Sequence, residues 1–326
     1  STVEEGGMGF DYRWNMSWMR DLLSYMALDP LYRKYEHKKL TNSLSNAYDE
    51  NYILEFSHNE VVGGKGSIVD QMPGGYEEKF SNLRLLYGYM MTHPGKKLLF
   101  MGQEFAQFKE FSESGEIDWA LLEFDAHTIL RNYVKALNHL YKKEPALYAL
   151  DNNAGGFEWI NDTAANESIV SFLRKTDRKE DTLLIICNFT PVSYDSYKVG
   201  VPYAGAYKEI FCSDMEKFGG DGSKNPSVRA SKRSACDGRS NSITIGLAPL
   251  SMSIFKLTKD APAKKTNTAK KAGTVSCKTA VTRKAAAASD KTAKVRRTDT
   301  SSKKKATADQ KASHMDKKAL ESKTMK

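Results

Sequence analysis

Residues 53–56 have the sequence Ile-Leu-Glu-Phe and residues 97–101 have the sequence Lys-Leu-Leu-Phe-Met. Short apolar runs of this length indicate buried strands. Between them, apolar side chains recur at helical spacing, at Phe80, Leu83, Tyr87 and Met90. A strand, a helix and a second strand in this order predict a βα unit in which the two strands pair in parallel.

The flanking sequence extends this α/β pattern over residues 1–145. A helix is predicted over residues 17–28, where Asp29-Pro30 ends it, and another over residues 127–143, which carry one apolar stripe. We therefore expect an α/β region that ends near residue 145.

Residues 146–260 have the pattern of an all-β domain. Short apolar segments alternate there with Gly, Asn, Asp and Pro, which favours an antiparallel β-sandwich. The predicted strands are 156–160, 169–174, 182–188, 194–199, 207–211, 242–245 and 252–257. The Gly-, Ser- and Lys-rich stretch 218–240 is predicted to be a long exposed loop.

Residues 261–326 form a basic tail that explains the net charge of +9 of the whole chain. The tail contains 19 Lys and Arg against 5 Asp and Glu, so the preceding 260 residues carry a net charge of −5. It has no Phe, Tyr, Trp or Ile, and we expect it to be disordered. Such a tail can contact polyanions non-specifically with strong salt dependence, but it has no aromatic side chains on which bases could stack.

The composition places the chain among soluble proteins. No apolar run is long enough to span a bilayer, and the N-terminus has no signal-peptide pattern. The four cysteines are widely spaced and include no CxxC pair, so we predict a cytoplasmic protein without metal or cofactor. The chain does not begin with Met, which is consistent with a processed or truncated piece.

The densest group of polar side chains follows the first predicted strand. Residues 57–67 have the sequence Ser-His-Asn-Glu-Val-Val-Gly-Gly-Lys-Gly-Ser. Loops at the carboxyl ends of parallel strands build active sites in βα folds, so this segment is a candidate polar pocket. From spacing alone, a capped turn leading into a helix explains the segment equally well.

Two further clusters are open to both functional and structural interpretations. Glu104 follows the second strand and is either an active-site carboxylate or, as we favour, a structural partner for a nearby Arg or amide. Asp118-Trp119 either frames a sugar, through stacking on the indole, or forms a helix N-cap followed by a buried ring.

Five segments, in the same order, resemble motifs of the 1,4-α-glucan branching enzymes of the α-amylase superfamily. They are residues 6–19, GGMGFDYRWNMSWM, residues 57–67, residues 82–102, NLRLLYGYMMTHPGKKLLFMG, residues 157–159 and residues 188–192. The resemblance covers nearly all of residues 6–258. It implies the C-terminal part of a (β/α)8 TIM barrel over residues 1–145, with about strands six to eight. An all-β domain over residues 146–260 and the tail 261–326 would follow.

The resemblance also implies an activity. Enzymes of this family cut an α-1,4-glucan and rejoin the fragment through an α-1,6 bond, by a retaining mechanism with a carboxylate nucleophile and a carboxylic acid/base. By this resemblance the partner is an α-glucan such as glycogen. The nucleophile and the acid/base lie on the fourth and fifth strands, so the resemblance implies that they are absent from this chain. A missing N-terminal segment would supply them.

Individual roles follow from the same motifs. His58 matches the hydroxyl-binding histidine, and Asn59 stands where the family has the aspartate that stabilises the transition state. The predicted substrate-binding residues are Trp14, Lys65, Glu104 and Trp119.

Three departures from the family pattern fall in or beside one loop. Asn59 replaces Asp, Gly63 replaces His and Glu55 replaces Pro, which suggests a relaxed or altered site. Losing one preorganised electrostatic partner typically costs about 10²–10³-fold in rate. We also expect the chain alone to be prone to aggregation, because a partial parallel sheet exposes an unpaired edge, and unable to branch amylose, because the nucleophile and the acid/base are absent. The alternatives are a glucan-binding accessory protein without catalysis and a polyanion binder that acts through its tail.

Overall fold

The computed structural model describes residues 3–4, 6–222 and 224–260, without the side chains of Ser43 and Asp260. The predicted basic tail, residues 261–326, lies outside the described residues. The α/β region comprises β1 (Arg13–Trp14), α1 (Met16–Met26), α2 (Lys38–Thr41), β2 (Tyr52–Phe56), α3 (Tyr76–Thr92), β3 (Lys96–Leu99) and α4 (Asp125–Lys143). The all-β region comprises β4 (Phe157–Asn161), β5 (Ile169–Arg174), β6 (Leu183–Asn188), β7 (Tyr194–Val201), β8 (Gly205–Cys212), β9 (Arg229–Ala230), β10 (Asn241–Leu247) and β11 (Ser251–Asp260).

The first three strands form a parallel sheet in the order β1-β2-β3. The alternation of strand and helix predicted the parallel pairing of β2 with β3, which is confirmed; it did not predict β1. β3 ends at Leu99, two residues earlier than expected, because the chain turns after Phe100: the Gln103 amide donates back to the Phe100 carbonyl at 3.1 Å, and Gly102 has a φ of 82°. Helix α1 begins where the Asn15 side chain accepts a hydrogen bond from the Trp18 amide at 3.1 Å.

The remaining strands form two antiparallel sheets, as predicted. One has six strands in the order β4-β5-β6-β11-β8-β9, and the other pairs β10 with β7. A hydrophobic cluster lies between these two sheets. It includes Val199 and Ile243 from the small sheet and Leu184 and Phe255 from the large one. Burial on both inner faces is the arrangement of a β-sandwich.

The prediction of a long exposed loop over residues 218–240 is correct for most of its described side chains, which are exposed or partly exposed, but wrong for a few packed residues. Phe218 and Asn225 are buried, and strand β9 within this stretch pairs with β8. The Asn225 side chain donates to the Gly246 carbonyl and accepts from the Gly246 amide, both at 2.9 Å. One side-chain amide thus satisfies both backbone groups of Gly246, an effect that composition does not reveal.

Helix α3 joins the parallel sheet to the large antiparallel sheet. Side chains of α3 share one hydrophobic core with residues of β5, β6 and β11. Gly88 allows the close approach, since a Cβ atom there would lie 2.8 Å from the Tyr133 hydroxyl and 2.9 Å from Met252 Cε. Fully buried Arg174, on β5, donates to the Thr92 carbonyl at the end of α3 and to Asp151, at 2.8 and 2.7 Å.

Candidate functional site

The carboxyl end of β2 leads directly into residues 57–67, which we call the β2 loop. Trp14 lies on the neighbouring strand, in register with Ile53, and is exposed. Because β1 and β2 run in parallel, Trp14 and the β2 loop leave the sheet from the same edge. This places the first predicted substrate-binding residue on the strand next to the loop.

The β2 loop brings three predicted residues together. Lys65 Nζ donates to the backbone carbonyl of Asn59 at 2.7 Å and lies 3.4 Å from the carboxylate of Glu60. The side chains of His58 and Asn59 are exposed at the start of the loop. The loop therefore presents an imidazole, an amide and an ammonium group to solvent on one short, internally bonded segment.

Glu110 fixes the glycine-rich half of the β2 loop. Its carboxylate accepts from the Gly64 amide at 3.2 Å and from the Gly66 amide at 2.6 Å. The next residue, Phe111, donates its amide to the Val61 carbonyl at 2.8 Å. Sequence reasoning missed Glu110 because more than 40 residues separate it from the loop and no local pattern links the two.

Two phenylalanine rings flank His58. Its ring centroid lies 5.8 Å from that of Phe100 and 6.5 Å from that of Phe111, and these two rings meet edge to face at 4.9 Å. Aromatic faces and edges pack on apolar surfaces while leaving the imidazole nitrogens available for hydrogen bonds. The sequence analysis missed both rings. Phe100 lies near the carboxyl end of a predicted strand, and this position is a signal that could have identified it as a site residue.

Glu55 is a buried carboxylate on β2, two residues before the β2 loop. Its exposed fraction is 0%, its Oε2 atom accepts from the Asn15 amide at 3.0 Å, and its Oε1 atom has no hydrogen-bond partner among the described residues. Burial is the main cause that raises the pKa of Glu55 to about 7; the negative charge of Glu60 adds to the rise, and hydrogen bonds from the backbone amides of Glu55 and Asn15 oppose it. The site edge therefore contains an acid that is partly protonated near neutral pH.

Glu104 lies beside helix α4. It lines a cavity of about 290 Å³ with residues of α4, namely Arg131, Val134, Lys135, Asn138, His139 and Lys142. Its side chain thus faces a cationic stretch of helix surface. The described contacts do not join it to the β2 loop.

The surroundings of Trp119 contradict one of the two sequence interpretations of the Asp118-Trp119 pair. Its indole is exposed and lies 5.5 Å from the ring of Phe105, so the ring is not buried. The Asp118 side chain does not cap the helical turn that follows, and its carboxylate instead lies 3.0 Å from Lys109 Nζ. The N-cap and buried-ring interpretation is therefore wrong, because the Asp118 side chain makes no capping hydrogen bond and the indole is exposed.

The described residues contain no group of three His, Cys, Asp or Glu side chains that could hold a metal ion. Within the same ranges, none of the helices combines the length and apolarity that a membrane span requires.

Known proteins show similarity to this chain in sequence and in fold. Residues 159–258 match the family model of the alpha amylase C-terminal all-beta domain. The chain is 50% identical over 251 residues to the 1,4-alpha-glucan branching enzyme GlgB of Halothermothrix orenii. The aligned region covers 77% of this chain and 40% of that protein. The corresponding enzyme of Oceanobacillus iheyensis is 49% identical over 255 residues, which is 78% of this chain and 40% of that protein.

A solved structure has a similar fold at low sequence identity. The match to AmyP in complex with maltose covers 78% of this chain and 51% of the AmyP chain, with a TM-score of 0.53 and 13% sequence identity. The chain spans about two fifths of the length of the two curated relatives. The chain is therefore related to the C-terminal portion of the 1,4-α-glucan branching enzymes of the α-amylase superfamily.

Proposed function

We propose that this chain is the C-terminal portion of a 1,4-α-glucan branching enzyme, in which residues 1–145 contribute about strands six to eight of a (β/α)8 barrel. Residues 146–260 are the all-β domain that follows the barrel. The observation that carries the proposal is the 50% identity to a branching enzyme over 251 residues. The position of the β2 loop at the carboxyl edge of a parallel sheet supports it, because barrel enzymes build their active sites at that edge.

The substrate in this proposal is an α-1,4-glucan chain. A fold neighbour that holds maltose supports this class of ligand. His58 would hydrogen-bond a sugar hydroxyl, with its ring held by Phe100 and Phe111. Trp14 would stack on a pyranose, and Lys65 would hold the backbone of Asn59 in place while its ammonium group faces the hydroxyls.

Glu104 and Trp119 join the proposal as contacts farther along the glucan. Both follow β3, and the exposed indole of Trp119 offers a flat apolar face to a sugar ring. Neither is needed at the bond that is broken.

The reaction would be a double displacement at the anomeric carbon. A carboxylate attacks this carbon as a carboxylic acid protonates the leaving α-1,4 oxygen, and a glycosyl-enzyme forms. The 6-hydroxyl of an acceptor chain then displaces the enzyme carboxylate and gives its proton to the same acid/base residue. The two carboxylates would come from a segment outside residues 6–258, and Asn59 would bind substrate without supplying negative charge.

Complementation tests the proposal. The chain is mixed with the N-terminal three fifths of the Halothermothrix orenii enzyme, and new α-1,6 bonds in amylose are counted after enzymatic debranching. We expect no branching by the chain alone and measurable branching by the mixture. Branching by the chain alone, or an inactive mixture that nevertheless forms a complex, would contradict the proposal.

The Asn59→Asp variant refines the same assay. Restoring a negative charge beside the developing oxocarbenium ion is expected to raise the branching rate of the mixture by about 10²–10³-fold. Asn46→Asp, an exposed substitution of the same chemical type, is the control and should leave the rate unchanged. Equal branching rates for Asn59→Asp and the unchanged chain would show that position 59 does not stabilise the transition state.

A second candidate is a glucan-binding accessory protein, which the amide at Asn59 favours. In that case glycogen binding would be lost in Trp14→Ala and His58→Ala, and the complemented mixture would stay inactive even with Asn59→Asp.

A further inference from the structure

The segment between α1 and α2 exposes three large apolar side chains within five residues. Leu31, Tyr32 and Tyr35 are 73%, 61% and 72% exposed. Single exposed apolar residues are common, but a contiguous exposed patch is often an interaction site. None of these residues belongs to the β2 loop.

A buried arginine holds this segment rigidly in place. Arg33 has an exposed fraction of 0% and donates hydrogen bonds of 2.8–2.9 Å to Phe189 O, Met26 O and Asn82 Oδ1. Four residues later, the Nε2 atom of buried His37 donates to the Asp162 carbonyl at 3.0 Å. With Arg33 and His37 fixed inside, the side chains of Tyr32 and Tyr35 are directed to solvent by the backbone itself.

The two tyrosines are three residues apart, at either end of one hydrogen-bonded turn. The Tyr35 amide donates to the Tyr32 carbonyl at 3.1 Å, at the start of the 3₁₀ turn Arg33–Glu36. In a 3₁₀ turn, residues i and i+3 lie one above the other, at a rise of about 2 Å per residue, so the two side chains start about 6 Å apart. At this separation the two side chains can contact neighbouring parts of one extended ligand.

Polar groups surround the tyrosine pair. Lys34 Nζ lies 5.0 Å from the centroid of the Tyr35 ring, and Glu36 pairs with Lys39 at 3.4 Å. Each tyrosine combines a flat apolar face with a hydroxyl group, and so binds ligands that have both an apolar face and hydroxyls. A pyranose ring has both features.

We propose that Tyr32 and Tyr35 form a second glucan-contact surface, on which consecutive pyranose rings of an α-1,4-glucan stack. The proposal rests on the proposed function, which supplies the glucan as occupant. Because Arg33 and His37 fix the segment before any ligand arrives, little conformational entropy would be lost on binding.

Affinity electrophoresis of the full chain in gels that contain glycogen tests the proposal. Tyr32→Ala/Tyr35→Ala should bind glycogen about tenfold more weakly than the unchanged chain, because two stacking faces are lost. The matched control Leu31→Ala removes an equally exposed apolar side chain without a ring and should bind normally. Tyr32→Phe/Tyr35→Phe keeps both ring faces and should retain most of the affinity.

Thermal melts establish that each variant is folded, and these surface substitutions should leave the melting temperature unchanged. Equal retardation of the double alanine variant and the unchanged chain would overturn the inference, as would equal weakening by Leu31→Ala. If His58→Ala still reduces binding and the complemented mixture still branches amylose, the proposed function stands without the second surface. If the unchanged chain is not retarded at all, the inference fails, and the complementation assay decides separately on the function.

Discussion

Glu55 shows how one substitution against the family pattern changes the chemistry of a strand. Its backbone fits β2 without distortion, but its carboxylate is buried with one oxygen that has no partner among the described residues. Burial favours the neutral acid and raises the pKa of Glu55 from 4.5 to about 7. The folded protein therefore binds this proton more tightly than the unfolded chain does.

This difference predicts a specific dependence of stability on pH. Stability should fall as the pH rises from about 4.5 to about 7, because the unfolded chain releases the proton first. Glu55→Gln removes the ionisation and should raise the free energy of unfolding at pH 8 by an amount on the order of 3 kcal/mol, with little effect at pH 4. Urea unfolding at both pH values measures this.

The exposed carboxylate Glu113 supplies the control, since Glu113→Gln should change stability little at either pH. A gain from Glu55→Gln that is equal at pH 4 and pH 8 would show that ionisation of Glu55 is not the cause.

Among the elements, the β2 loop depends on a residue far away in the chain. Three of its glycines, Gly63, Gly64 and Gly66, have positive φ, and Glu110 accepts hydrogen bonds from the amides of Gly64 and Gly66. A polar, glycine-rich loop after a strand was predictable, because loop composition and strand ends are local signals. Its conformation was not predictable, because Glu110 reaches it only through the tertiary fold.

Removing the Glu110 carboxylate should increase the mobility of the β2 loop without unfolding the protein. In Glu110→Ala, the amide hydrogens of Gly64 and Gly66 should exchange about ten to a hundred times faster, since hydrogen bonds to a charged acceptor are lost. NMR-detected hydrogen exchange gives the rates. Amides of β6, which are remote from Glu110, should exchange as before. Unchanged rates at Gly64 and Gly66 would contradict the role of Glu110.

At the scale of the whole molecule, buried Arg174 ties the α/β region to the all-β region. It donates to Thr92 O, Gly156 O, Leu147 O and Asp151 Oδ1. Arg174→Leu would leave three carbonyls and one carboxylate short of a donor in the interior. We expect a loss of about 3–5 kcal/mol in the free energy of unfolding, as for other broken buried ion pairs.

Chemical denaturation measures this loss, and Arg178→Ala is the matched control. Arg178 is exposed and pairs with exposed Glu180 at 3.7 Å and with partly buried Asp181 at 3.9 Å; ion pairs at the surface contribute about 0–1 kcal/mol. Similar losses for the two variants would show that Arg174 does not stabilise the junction.

The sequence alone determined the order of the longer strands and helices, the parallel pairing of β2 with β3 and the antiparallel character of residues after 146, because hydrophobic periodicity and turn residues act over short distances. It did not determine the short elements β1, α2 and β9. It also identified His58, Asn59 and Lys65 as neighbours, since one loop contains them. Tertiary structure decided which distant residues complete the site. Glu110 and Phe111 reach the β2 loop, Glu104 turns towards α4, and Arg33 fixes the turn that exposes Tyr32 and Tyr35. These contacts depend on the packing of separate elements, and no local pattern in the chain encodes them.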